Sequence, residues 1–215
     1  MIYDSNSYID FSLKEELRRM GELDKVKSYL PQNAGLQCYD LFYTKATAVN
    51  AQVFRVNTAD EAVETARKII KELGIKKAVS VPLSLVDGEK LAKALKAEGV
   101  NLATGRPLRK TIEEAQLGIT EFELAVAETG SLAQDATDVY KRLISSLPPY
   151  HLAFVKTEHI VATFADALDV LYKANGNQMP GYVAYVSGPS RTADIERVLA
   201  IGVHGPERVF IICIG

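Results

Sequence analysis

The sequence predicts an α/β fold built on a mostly parallel sheet with helices on both faces. Three observations carry this. From Ala51 onward, short β-branched runs alternate with amphipathic helical stretches. The helical stretches open on capping residues and close on glycine. The first three strands are joined by segments long enough for crossover helices, which parallel strands require.

The elements follow in order. From about Ile9 to Leu30, the positions Phe11, Leu13, Leu17, Met20, Leu23, Val26 and Leu30 fall near helical spacing, and Pro31 ends the run. A second helical stretch is "DLFYTKATAV". These two make an N-terminal helical segment over residues 1–50, and the α/β domain spans 51–215. "AQVFRV" is a strand. In "TADEAVETARKIIKELG" Thr58 is the N-cap, Glu61 its capping-box partner and Gly74 the stop. "KAVSVP", "DGEKLAKALKAEG" and "VNLAT" continue as strand, helix and strand. "LAVA" is a buried strand, "ETGS" a tight turn and "SLAQ" a short returning strand, so a hairpin is expected near Gly130. Two prolines in "PPYHLAFV" block a helix and launch a strand at His151. "VATFADALDVLYKANG" is a helix, "GYVAYVS" a strand, "RTADIERVLAIG" a short helix and "RVFIICIG" the last strand. The sheet is expected to hold six or seven strands.

Composition narrows the function. Of 215 residues, 47% are hydrophobic and 24% charged, which is ordinary for a globular protein with a sizeable core. The net charge of -2 shows no overall basic balance, so nucleic acid is not an expected partner. Cys38 and Cys213 stand far apart, without the close spacing of a zinc or iron–sulfur site, and suit a reducing cytosol. No apolar run approaches the roughly 20 residues of a membrane helix. The N-terminus lacks the basic and apolar regions of a secretory signal. A cytoplasmic protein is expected.

Two turns after strands are chemically loaded, Glu128–Ser131 and Ser187–Glu196. In open α/β sheets ligands bind outside the carboxyl ends of strands. Gly188 permits positive φ or close approach of a ligand. Ser190 or Thr192 can cap the helix expected near Ala193, whose first turn would favour an anion. Arg191 adds a charged fork suited to carboxylate or phosphate. The same residues also describe an ordinary capped helix with a surface arginine. Glu128, at a strand end, is a candidate base or nucleophile, or equally a turn-holding acceptor. His204, between two glycines, is a candidate acid–base group or a turn histidine. His151 is expected to pack, and His159 to lie exposed at a helix start. The three histidines show no ligand spacing, so no metal site is expected. There is no G-x-S-x-G elbow, no P-loop and no G-x-G-x-x-G after the first strand.

The segments "LGITEFELAVAETGSL", "LPPYHLAFV" and "SGPSRTADIERVLAIGVHGPERVFIICI" resemble the signature segments of the LUD domain family. More narrowly they are similar to its short single-domain branch, the lactate-utilisation C (LutC/YkgG) proteins. The resemblance covers about residues 50–215 and is strongest from Gly118 onward. It implies a Rossmann-like three-layer α/β/α sandwich of the NagB/RpiA/CoA-transferase type. It implies a part in bacterial oxidation of L-lactate to pyruvate, together with two partner proteins that carry the iron–sulfur clusters, this chain holding no cofactor. The chain departs from the family where relatives continue "AETG" with Thr and an apolar pair. Here Ser131, Leu132, Ala133 and Gln134 follow.

The expected site is a crevice for a small carboxylate or phosphate at the carboxyl edge of the sheet. Ser187, Gly188, Ser190, Arg191 and Thr192 would form its floor. Glu128, Thr129 and Gly130 would line it, and His204 and Gly205 would close it. Glu128 and His204 are the candidate catalytic groups. Three readings stay open: an accessory subunit of lactate oxidation, an independent CoA-transferase-like or sugar-phosphate isomerase-like enzyme, and a non-catalytic interaction or sensory protein.

Overall fold

A computed structural model describes residues 25–107, 109–193, 199–201 and 204–215. The first expected helix lies outside them as far as Asp24. The six-stranded sheet runs in the order β1 (Gln52–Val56), β12 (Arg208–Ile214), β7 (Tyr150–Lys156), β4 (Leu117–Glu121), β2 (Lys77–Ser80) and β3 (Asn101–Thr104). Every pairing in it is parallel. Its central strands read as unbroken apolar runs because both faces are covered, as in "HLAFV" and "VFIIC".

On one face Phe54, Leu152, Phe154, Phe210 and Ile212 pack against helices α2 (Ala59–Glu72) and α3 (Gly88–Ala97). Thr58 caps α2 by accepting from the Glu61 N–H at 3.1 Å, and Asp87 caps α3 by accepting from the Lys90 N–H at 2.9 Å. The short helix α4 (Arg109–Glu113) leads back to β4. At edge strand β3 the chain reverses, so later connections cross the opposite face. There Ala153, Val155, Val209 and Ile211 meet helix α1 (Tyr39–Ala48) and a second, four-stranded sheet. That sheet has the order β8 (Ile160–Val161), β5 (Leu124–Val126), β6 (Ser131–Asp135) and β9 (Val183–Val186). Its outer face carries α6 (Phe164–Ala174) through Ala167, Val170 and Leu171. Helix α5 (Val139–Ser146) crosses Gly118 so closely that a Cβ there would collide with the Ile144 carbonyl oxygen. The whole is an α/β/α sandwich whose second helical layer is interrupted by the small sheet.

Two elements differ from the expectation. The run "LGITEFELAVA" is two strands. Phe122 makes the last bond to the large sheet, donating its N–H to Phe154 O at 2.9 Å, and β5 then joins the small sheet. "RTADIERVLAIG" holds no helix among its described residues. Arg191–Ala193 (β10) and Leu199–Ile201 (β11) pair as an antiparallel hairpin. Leu199–Ile201 extend and pair back on Arg191–Ala193 instead of continuing a helical stripe. The hairpin expected near Gly130 is present as β5–β6. No helix among the described residues is long and apolar enough to cross a membrane.

Helix α1 is fitted by two glycines. Gly130 (φ +65°) and Gly188 (φ +71°) both take left-handed backbone. A Cβ at Gly130 would strike the backbone of Lys45 and Ala46, and one at Gly188 would strike the Val49 carbonyl. Phe42 and Ala46, on the inner side of α1, are wholly buried.

His151 and His159 are interior groups. His151 Nε2 lies 2.8 Å from Thr120 Oγ1, and its ring sits 5.9 Å from that of Phe122. His159 corrects its expectation of exposure. It is wholly buried in the turn Thr157–His159, where Nδ1–H donates to the Glu123 carbonyl at 2.9 Å. The strand β7 ends one residue before that turn and carries it beneath β5. Burial pushes both imidazoles down to about 4. At His159 it outweighs the carbonyl bond and the Glu158 charge, which act upward.

Gly130→Ala and Gly188→Ala are expected to lose about 1–2 kcal/mol to left-handed backbone and about 1–3 kcal/mol more to the collision with α1. Gly99 (φ +74°) faces open space, so Gly99→Ala should lose only the backbone part. Thermal unfolding of the three variants checks this, and equal losses would contradict the contact. His151 and His159 bind a proton on unfolding wherever the pH lies below about 6.5, the free imidazole value. Their contribution is therefore full above that pH and is lost as the pH falls toward about 4. Each accounts for about 3 kcal/mol across that window. Urea unfolding from pH 7 to pH 5 should show a falling midpoint, with a smaller fall in His151→Gln. A constant midpoint would refute neutral buried rings.

Candidate functional site

The loaded turns meet in one place. After β5 the chain turns through Glu128, Thr129 and Gly130, and the Gly130 N–H closes the turn on Val126 O at 2.9 Å. Ser131 opens β6 opposite Ser187, which follows β9, and their hydroxyl oxygens lie 2.5 Å apart. Gly188 then rests on the end of α1, and Pro189 is buried. The Ser190 N–H donates to Pro206 O at 2.8 Å. A Cβ at Gly205 would lie 3.2 Å from that of Ser190. Arg191 and His204 flank this contact, each one residue away, and both are exposed. Thr192 pairs with Ala200 in the hairpin. Asp194 and Glu196 lie outside the described residues.

The placement corrects the expected edge. The cluster adjoins the amino ends of β1, β7 and β12, not their carboxyl ends. The Glu207 N–H donates to Pro149 O at 2.7 Å, just ahead of the paired starts of β12 and β7. Segments that directly precede parallel strands must lie at the amino edge. The carboxyl-edge expectation assumed that β9 belonged to the large sheet, whereas it pairs antiparallel with β6. Arg191–Ala193, where the expected helix would begin, form β10, and the rest of its first turn lies outside the described residues.

Glu128 is exposed, and its carboxylate accepts the Phe164 N–H at 2.5 Å. Phe164 is the first residue of α6, so the carboxylate serves one of the unpaired donors at that helix start. Thr163 serves another, accepting the Asp166 N–H at 3.1 Å in a capping box. Glu128 thus stabilises a neighbouring helix. Chemically, the cluster presents a guanidinium, an imidazole, two hydroxyls and small backbone turns, a set suited to holding an anion.

The carboxyl edge holds other polar groups that sequence reasoning passed over. The Glu121 carboxylate accepts from the Ser84 N–H at 2.7 and 2.8 Å, from the Ser84 hydroxyl at 2.8 Å and from the Leu85 N–H at 2.5 Å. Glu123 pairs with Lys141 at 2.6 Å, both nearly buried. The available signal was "TEFE", with Thr120, Glu121 and Glu123 set into an apolar run. No group of His, Cys, Asp and Glu suited to a metal ion occurs among the described residues. Cys38 and Cys213 are both buried, and burial pushes the Cys213 thiol up to about 12. Neither is presented as a thiolate ligand.

Comparison with known proteins agrees with this architecture. The family model described as LUD domain matches residues 39–214. The "Lactate utilization protein C" of Bacillus subtilis (strain 168) is 36% identical over 107 residues, 49% of this chain and 45% of that protein. The "Lactate utilization protein C 1" of Bacillus mycoides is 32% identical over 165 residues, 73% of this chain and 70% of that protein. "Uncharacterized protein YkgG" of Escherichia coli (strain K12) is 29% identical over 181 residues, 81% of this chain and 78% of that protein. The matches to the first two curated relatives span about half of those proteins' length, 45% and 52%. A crystal structure of a DUF162 family protein from Deinococcus radiodurans shares the fold, with a TM-score of 0.56 at 19% identity. It covers 83% of this chain and 97% of that one. The chain belongs to the LUD domain family.

Proposed function

We propose that this protein is a component of a bacterial L-lactate utilisation system, binding a small carboxylate or phosphate at the joined turns. The observation that carries this reading is their convergence. Ser131 meets Ser187 and Ser190 meets Pro206, which draws three distant segments together beside the exposed Ser187, Arg191 and His204. Arg191 supplies the positive fork and His204 a second basic group, with Thr129, Ser187 and Gly205 at the border. The relatives named for lactate utilisation support the choice of ligand class. Oxidation of L-lactate to pyruvate releases two electrons and two protons. In this reading the electrons pass to iron–sulfur partner proteins, and this chain contributes binding and docking. The bond from Phe164 to Glu128 favours a binding surface over an enzyme with Glu128 as nucleophile.

A thermal-shift screen tests the ligand with L-lactate, D-lactate, pyruvate, phosphate, a sugar phosphate and CoA. A ligand at 100 times its Kd adds about 2.7 kcal/mol. For this chain length that raises Tm by about 5–10 °C. The shift is expected with a small carboxylate and should vanish in Arg191→Ala. If no ligand shifts Tm, the binding part fails. A shift that survives Arg191→Ala would place the ligand elsewhere.

A further inference from the structure

One buried polar group is not used by the surface described above. Gln134 lies within β6 and is wholly buried, yet neither its Oε1 nor its Nε2 meets a protein partner. Ala133 pairs with Leu124 in β5, so the next register position across from Gln134 is Glu123. On its other side Gln134 pairs with Ala184 in β9. Glu123 is 8% exposed, with Oε1 accepting from Lys141 Nζ at 2.6 Å and Oε2 without a protein partner. Lys141 Nζ also donates to the carbonyl of Asp135, the residue after Gln134, at 2.8 Å. A carboxylate oxygen and a whole carboxamide, with donors and acceptors both unused, thus belong to residues opposite one another in register, and Lys141 bonds Glu123 and the residue after Gln134.

The charges limit what fits. Lys141 and Glu123 cancel, so an added ion would bring unbalanced charge into the interior. Lone buried carboxamides are costly and normally bonded, whereas a small uncharged molecule can donate to Glu123 and Gln134 Oε1 while accepting from Gln134 Nε2. Water is the smallest such molecule, and polar interior sites of this kind are where proteins hold it. We propose that Gln134, Glu123 and Lys141 form an internal binding site for ordered water that bridges the small sheet to α5. The site lies two residues past the carboxyl end of β4 and is independent of the lactate reading.

The test uses the intact protein in solution. Nuclear Overhauser spectra should show cross-peaks between the Gln134 side-chain amide protons and a long-lived water. Magnetic relaxation dispersion of oxygen-17 water should show a slow component that falls in Gln134→Leu. The wild-type cross-peak needs no variant, so poor folding of Gln134→Leu does not spoil the test. Absence of the cross-peak, with those protons assigned, overturns the proposal. So does a high-resolution crystal structure in which Gln134 bonds Glu123 directly. Lactate or phosphate at saturating concentration should leave the cross-peak unchanged, and its loss would mean that the site takes those ions instead.

Discussion

Helix α1 is held in the gap between two sheets, and its fit sets where most other parts lie. Phe42 and Ala46 fill a core shared by Ala153, Val155 and Ile211 of the large sheet and by Ala125 and Leu132 of the small one. Burying one such aromatic side chain contributes about 1.5–3 kcal/mol. The approach is close enough that the turns at Gly130 and Gly188 must present bare backbone to the helix. The same contact brings those turns together, and it delivers the chain from α1 directly to the amino end of β1. Gly130 and Gly188 of the signature segments therefore answer first to packing.

A second constraint is polar. The chain leaves the large sheet at Phe122 and enters the small one at Leu124, so Glu121, Glu123 and their neighbours are drawn inside. Each is answered by a specific partner: Glu121 by Ser84 and Leu85, Glu123 by Lys141, and the Glu123 carbonyl by His159. Unpaired, such groups would be costly in the interior. Paired, they fix the order in which α5, the small sheet and the turn after β7 stack. Directional bonds of this kind discriminate between packings that apolar contact alone would leave nearly equal in energy.

The two edges of the large sheet differ in what they expose. The carboxyl edge, where open α/β sheets usually take ligands, is occupied here by bonded internal carboxylates. The amino edge carries the exposed Arg191 and His204 beside joined turns. An anion held there would meet solvent and any docked partner at once. Glu128 belongs to the same economy of roles: its carboxylate steadies the start of α6 at the border of the exposed surface.

Local chemistry was legible in the sequence. The cap at Thr58, the stop at Gly74, the hairpin at Gly130, the burial of His151 and the apolar last strand all follow from neighbours within a few residues. The family signature likewise named the turns that converge. What local pattern could not supply was partnership across the chain. β1 pairs with β12, about 150 residues away, and β9 leaves the large sheet for β6. Those pairings place the loaded turns at the amino edge, while the docking of the turn after β7 and of α5 makes His159 interior and sets Lys141 against Glu123. The physical reason is that periodicity reports whether a residue will be buried, whereas the identity of what buries it depends on strand pairing and helix docking between distant segments.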